Sequence, residues 1–186
     1  MRVRSLLVVS VLLVTACGGA AGAASDRRVA VVLTGGHLTD RADNGRPVVL
    51  VAAGLGLPPA VFREAFSRVR PAPAGTDPAG TQVSANKQVL LAALSSYGVT
   101  NDLLDTVSNH YRYDASAGQL WPTSPAAAYA VVRRGRVVRV VVTNGGSGYT
   151  SVPVVTVPGV AARARAALSF GRDLATNGRV AAVTLG

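Results

Sequence analysis

The sequence predicts an α+β protein, in which a small helical bundle of about four short helices is followed by an antiparallel β-meander module. Two observations carry this prediction. Between residues 47 and 113, apolar side chains recur at helical spacing between proline, glycine and hydroxyl residues of the kind that begin or end helices. From residue 128 the apolar period changes to two, and turn dipeptides such as Arg134-Gly135 and Asn177-Gly178 separate the alternating runs.

Residues 1–17 have the layout of an export signal. Arg2 and Arg4 form a basic region, and the apolar run that follows is shorter than the roughly 20 residues that cross a bilayer as a helix. The run ends in Val-Thr-Ala-Cys, which resembles the lipobox of bacterial lipoproteins. In that family the cysteine is acylated and becomes the mature N-terminus. The resemblance therefore implies a lipidated Cys17.

The alternative for this leader is an ordinary signal peptide that is cleaved near Ala21-Gly22-Ala23 and discarded with Cys17. Both interpretations predict an exported protein. The lipobox interpretation predicts a lipid-anchored protein at the cell membrane or outer membrane. The ordinary signal peptide predicts a secreted or periplasmic soluble protein. Cys17 is the single cysteine, so both predict a folded part without disulfides or a thiol nucleophile. Residues 18–28 are predicted to form a flexible tether.

The mainly helical domain is predicted to span residues 29–125 and to begin with a short strand at 29–33. Turns are expected between residues 35 and 45, where glycine, aspartate and asparagine are frequent. A short helix over residues 47–57 and a second over 58–69 follow, separated by a glycine turn. The apolar spacing of the second helix predicts one buried face.

Residues 48–56 allow other interpretations. A buried strand opening a glycine-rich phosphate loop would suit the Gly54-Leu55-Gly56 sequence, but Pro59 stands where the dinucleotide fingerprint needs its third glycine. The helix, turn and helix also resemble DNA-binding helix-turn-helix modules. However, the second helix carries Glu64 and two phenylalanines, and an exported protein does not meet the chromosome. No nucleic-acid partner is therefore expected.

Two further helices are predicted after a loop at residues 70–80, where three prolines and two glycines prevent regular structure. Ser84 is the predicted N-cap of the third helix, which places Tyr97 on its apolar face and ends at Gly98. Thr100 is the predicted N-cap of the fourth. Four segments of this part are similar to uncharacterised exported bacterial proteins, which implies an extracytoplasmic domain and no particular activity: 45–50, 62–66, 97–102 and 107–113.

The β-repeat-like module is predicted over residues 126–186, with strands at 129–133, 136–142, 152–157, 161–169 and 179–185. Residues 143–157 read TNGGSGYTSVPVVTV and resemble a repeat unit of bacterial surface proteins and phage tail-fibre-like proteins. The resemblance implies β-structure in extended or adhesive modules. The glycines themselves predict a tight turn, and the alternative is an anion-binding loop built from their backbone amides.

Positive charge is concentrated in the C-terminal part. Residues 25–114 carry nine basic and eight acidic side chains, a net charge of +1, whereas residues 115–186 carry eight arginines and one aspartate, a net charge of +7. For an exported protein this excess predicts an anionic lipid or glycan as partner. The alternative is a solvated surface without a partner. The candidate binding arginines are Arg136, Arg139, Arg163 and Arg165.

The richest polar and aromatic cluster is formed by His110, Tyr111, Tyr113 and the nearby Trp121. If exposed, these side chains would suit a glycan or peptide through stacking and hydrogen bonding. If buried, they would form the seam between the helical and β parts, because they lie where the two apolar periods meet.

Acid–base and metal-binding residues are scarce, since the chain has two histidines and one glutamate. His37, Asp40 and Asp43 do not fit the calcium-loop pattern, and Asx-turns account better for the aspartates. No cofactor or metal is expected.

The predicted function is that of a non-enzymatic, lipid-anchored envelope protein with a binding or structural role at an anionic surface or envelope component. One alternative is an envelope hydrolase or cation-dependent enzyme that uses His37, Asp40 and Asp43 or His110. Another is a structural accessory subunit whose sheet edge pairs with a partner strand.

Overall fold

The structure is a computed structural model that describes residues 26–70, 79–115 and 117–186. The described residues form an α+β fold with four helices and antiparallel sheets, as the sequence predicts. The helices are α1 (Val48–Leu55), α2 (Pro59–Phe66), α3 (Gly80–Leu94) and α4 (Asn101–His110). The strands are β1 (Arg27–Thr34), β2 (Ala127–Arg133), β3 (Arg136–Asn144), β4 (Val154–Thr156), β5 (Ala164–Ser169) and β6 (Arg179–Leu185). The leader with Cys17, most of the predicted tether and residues 71–78 of the predicted loop lie outside the described residues.

The helical part has an apolar core of its own. Gly56 ends α1 with a φ of 75°, which contradicts the phosphate-loop interpretation because residues 48–55 are helix and not strand. Thr100 caps α4 as predicted, with its Oγ1 accepting a hydrogen bond from the Leu103 amide at 3.2 Å. The buried residues of this core include Val48, Leu50, Ala52, Leu55, Phe62, Ala65, Leu94, Leu104 and Val107.

The third helix differs from its predicted form at both ends. α3 begins at Gly80, so Ser84 lies inside it and donates its hydroxyl to the Gly80 carbonyl at 3.0 Å instead of capping the helix. After Leu94 the chain tightens into a 3-10 turn over Ser95–Tyr97. This turn changes the direction of the side chains that follow, and Tyr97, predicted on the apolar face, is 53% exposed.

The main sheet has the strand order β3-β2-β1-β4, with every pair antiparallel. The register places Val31 opposite Ala128 and Ala128 opposite Val142, so these side chains share the apolar face of the sheet. β1 is therefore an inner strand although it precedes all four helices. Residues 29–125 and 126–186, predicted as two domains, both contribute strands to this sheet.

β5 and β6 form a separate two-stranded sheet, which is joined to the main sheet through the glycine-rich segment. The Val180 amide donates to the Gly145 carbonyl at 2.9 Å, and the Tyr149 amide donates to the Gly178 carbonyl at 2.9 Å. Tyr149 also packs with Ala166 and Val180 in a third apolar cluster. This segment thus fixes how the two sheets lie against each other.

Candidate functional site

A group of six exposed arginines lies at one end of the main sheet. The register places Arg27 and Arg28 of β1 opposite Val132 and Val131 of β2, and the β2–β3 turn closes the same end. We call this group the basic end, and its members are Arg27, Arg28, Arg133, Arg134, Arg136 and Arg139. Because strands that pair are less than 5 Å apart, these arginines of three strands lie at the same end of the sheet, with successive residues such as Arg27 and Arg28 on opposite faces.

The turn at the basic end departs from the usual residue preferences for such turns. Arg134 and Gly135 form a two-residue connection with φ values of 49° and 76°, a geometry in which asparagine, aspartate or glycine is usual at both positions. Holding a non-glycine residue in this left-handed region costs about 1 kcal/mol. Arg133 and Arg136 are also directly paired across the strands, which places like charges opposite each other. Local stability therefore does not explain the arginines in this turn.

Among the described residues, Asp26 forms an ion pair with Arg133 of the basic end. Asp26 accepts two hydrogen bonds from Arg133, at 2.8 Å from Nε and 3.0 Å from Nη2, and this contact holds the pKa of Asp26 below its usual range. Arg28 lies over the ring of Tyr129, with Cζ 4.7 Å from the ring centroid. The six arginines and Asp26 leave a net charge of +5 at this end of the sheet.

The structure divides the four arginines that the sequence singled out. Arg136 and Arg139 belong to the basic end, whereas Arg165 is paired with Thr184 in the β5–β6 sheet. Arg163 lies just before β5, where its carbonyl accepts from the Gly186 amide. The sequence prediction missed Arg27, Arg28, Arg133 and Arg134. The Arg-Arg-Gly-Arg turn between two alternating runs was the signal for the last two.

The aromatic cluster predicted at the seam is largely buried. Trp121 is 2% exposed and donates Nε1 to the Gly148 carbonyl at 2.8 Å, and Tyr111 is 5% exposed. Burial raises the pKa of Tyr111. His110 contacts the edge of Tyr111, with ring centroids 4.7 Å apart, and the half-buried Tyr113 meets Trp121 edge-on. Tyr111 and Trp121 thus lie between the helical and β parts, as the seam interpretation predicts.

Asn177 joins the helical core to the β part. It is 1% exposed, and its Nδ2 donates to the Leu50 carbonyl of α1 at 2.8 Å and to the Tyr111 hydroxyl at 2.9 Å. Its Oδ1 accepts from the Gly171 amide at 3.1 Å. Every hydrogen-bonding atom of this side chain therefore has a partner, as a buried amide requires.

The glycine-rich segment does not form the anion-binding loop considered from the sequence. Four consecutive amides, those of residues 146–149, donate to oxygens of the protein itself: Asn144 Oδ1 and the carbonyls of Ser124, Asn177 and Gly178. An anion-binding loop needs such amides free to converge on the ligand. The segment is a tightly packed connection between the two sheets. Glycine is required at position 148, since a Cβ there would lie 2.6 Å from the Pro122 carbonyl oxygen.

The residues considered for the alternative enzyme function contact different partners. Asp43 and Asp40 both contact Arg63, with Asp43 Oδ1 2.5 Å from Nε, and this ion pair raises the pKa of Arg63. Asp40 also accepts from the Ala42 amide at 2.9 Å, the Asx-turn geometry that was predicted. His37 instead stacks on Tyr149, with ring centroids 5.2 Å apart. Within the described residues, no group of three or more histidine, aspartate or glutamate side chains is arranged to hold a metal ion.

A groove in the helical part brings together side chains that are distant in the sequence. Its cavity of about 480 Å³ lies between α1, α2, the end of α4 and the segment that follows α4. A neighbouring cavity of about 410 Å³ shares Asn44, Arg46, Val48 and Phe66 with it. We call the larger cavity the aromatic groove, and its ring and charged side chains are Arg46, Phe62, Phe66, Tyr111, Arg112, Tyr113 and Asp114.

Among the described helices, none is by itself long and apolar enough to span a bilayer; α1 and α2 pass that test only as a pair bent by 106°. Comparisons with protein-family models, with curated proteins and with solved structures find no match to this chain.

Proposed function

We propose that this chain is an exported, non-enzymatic envelope protein that is anchored by lipid on Cys17 and rests its basic end on an anionic membrane surface. One observation carries the proposal. β1 is the first described element, and it begins at the basic end, so the arginines lie around the point from which the chain leads back toward Cys17. The anchor and the positive surface would therefore face the same bilayer.

The length of chain between Cys17 and β1 fits this arrangement. Nine residues separate Cys17 from Arg27, and a segment of that length reaches at most about 35 Å when fully extended. The basic end is thus always within reach of the headgroups around an anchored Cys17.

The charge is large enough to strengthen an anchor. Each arginine near an anionic leaflet contributes about 1 kcal/mol at physiological salt, in addition to the attachment that the two acyl chains of a diacylglyceryl group would provide. The net charge of +5 on the basic end and Asp26 would supply a second attachment signal of several kcal/mol. Such a role also gives a reason for keeping Arg134 in an unfavourable turn position.

Two measurements test the two halves of the proposal. Intact-mass analysis of protein from the membrane fraction should show a diacylglyceryl group on Cys17 at the mature N-terminus. A soluble product that begins near Ala24 would contradict the lipid anchor.

For the basic end, the chain beginning at Asp26 should co-sediment with vesicles containing phosphatidylglycerol and not with pure phosphatidylcholine, and added salt should release it. Replacing both Arg134 and Arg136 with glutamine should weaken this binding by about 30-fold, which corresponds to about 1 kcal/mol per arginine. The matched control, Arg163→Gln with Arg165→Gln, removes the same charge from β5 and the residue before it, and should change binding by less than about 3-fold. Equal losses in both double variants would show that total charge matters and the basic end does not.

A further inference from the structure

The aromatic groove combines an apolar interior with positive charge. The buried Phe62 lines it together with Phe66, Val51 and Pro47. Two guanidinium groups, those of Arg46 and Arg112, lie on the same cavity, and neither forms an ion pair with another described residue. Ligand pockets are typically of this kind, mostly apolar with a few polar groups that fix orientation, and their volumes fall between about 300 and 1,000 Å³.

Contacts within the protein hold the walls of the groove in place. The Tyr113 hydroxyl donates to the Gly45 carbonyl at 2.8 Å, which ties the segment after α4 to the loop before α1. Arg46 lies over Phe66, with Cζ 5.3 Å from the ring centroid, and Arg112 Nη2 donates to Asn109 Oδ1 at 3.0 Å. A groove whose walls are already fixed loses less conformational entropy when a ligand binds.

The electrostatics of the groove favour an anion. Burial raises the pKa of Tyr113, and the positive charge of Arg46 acts in the opposite direction, so the Arg46 guanidinium lies near the Tyr113 hydroxyl. Asp114 is the acidic lining residue, and its Oδ1 accepts from the Ala117 amide at 3.3 Å, within the turn that follows. Together, Arg46, Arg112 and Asp114 give the lining a net charge of +1, which favours an anionic ligand.

We propose that the aromatic groove binds a small organic anion with an apolar, ring-sized body, whose acidic group pairs with Arg46 and Arg112. The apolar body would lie against Phe66 and the aliphatic wall, and arginine supplies paired N–H donors that suit a carboxylate or a similar planar acid. This site is separate from the basic end and does not depend on the proposed membrane docking.

The test compares two probes that differ only in the acidic group, 2-naphthoate and its neutral amide, 2-naphthamide. Each is titrated calorimetrically into the full chain in a neutral detergent, with the heat of empty micelles subtracted. Naphthoate should bind at least 10-fold more tightly than naphthamide. Replacing both Arg46 and Arg112 with glutamine should remove that preference and leave naphthamide binding unchanged, whereas the matched control Arg179→Gln on β6 should keep the preference.

Two further variants keep the test decisive. Because Arg46 packs on Phe66, its loss could affect folding, so Arg112→Gln alone is measured as well and should weaken naphthoate binding by about 5-fold or more. Phe66→Leu should weaken both probes. Equal binding of the two probes, a preference that survives in the double variant, or no binding of either probe at millimolar concentration would each overturn the proposal.

Discussion

Removing the side chain of Asn177 tests how the helical and β parts are held together. In Asn177→Ala the protein loses the hydrogen bonds to the Leu50 carbonyl, the Tyr111 hydroxyl and the Gly171 amide. A hydrogen bond of this kind contributes about 1 kcal/mol, so the expected loss is about 3 kcal/mol. For a chain of this size, each kcal/mol corresponds to about 2–4 °C in Tm, and the variant should therefore melt about 6–12 °C lower.

The assay is urea unfolding followed by circular dichroism, with Tyr111→Phe as the matched control. Tyr111→Phe removes one of the three hydrogen bonds and keeps the ring, so it should cost about 1 kcal/mol. The double variant should cost less than the sum of the two single variants because both remove the same bond between Asn177 and Tyr111. A loss below about 1 kcal/mol in Asn177→Ala, or additive losses in the double variant, would refute the assigned role.

Four further outcomes are expected, each measured by thermal or urea unfolding. Burial lowers the pKa of His37 below 6.5, so the imidazole takes up a proton more readily in the unfolded chain than in the folded protein. The free energy of unfolding should therefore fall as the pH drops below about 6.5. His37→Phe should lessen this fall, and an unchanged pH profile in that variant would contradict the assigned cause. Arg134→Gly removes the strain at φ 49° and should raise the free energy of unfolding by about 1 kcal/mol while weakening vesicle binding. The control Arg139→Gln on β3, which lies opposite Val131, should weaken vesicle binding without that gain in stability. Gly148→Ala should lower the free energy of unfolding by about 2 kcal/mol, because φ at this position is 82° and the added Cβ would contact the Pro122 carbonyl. An unchanged stability would show that the backbone of this segment can shift to accept the Cβ. Thr100→Ala should cost about 1 kcal/mol through loss of the α4 cap, and Thr100→Ser should restore it.

Features set by neighbours in the sequence were predictable. The strands β2, β3 and β6 begin and end within two residues of their predicted limits, because alternation and Arg-Gly or Asn-Gly turns act locally. Thr100 and Gly98 were likewise identified from their own chemistry as helix caps. Ser84 was not, since a serine can cap a helix or bond within it, and the choice depends on where α3 starts.

Features set by distant pairing were not predictable from local patterns. The inner position of β1 depends on its register with residues 128–132 and 154–156, about 100 residues later in the chain. Without that register, the sequence assigns Arg27 and Arg28 to the tether, and the grouping of the six arginines cannot be predicted. The aromatic groove is similar, because Arg46 and Arg112 come together only once α1, α2 and α4 are packed.

The inner position of β1 sets the order in which the sheet can form. β1 is the first described element to be synthesised, yet both of its neighbouring strands come later in the chain, and the second of them ends at Thr156. The sheet therefore cannot close until most of the chain has been made, and pairing over such long separations is slow. If the chain is exported through a narrow translocation channel, the main sheet would therefore form only after residues up to Thr156 have left that channel.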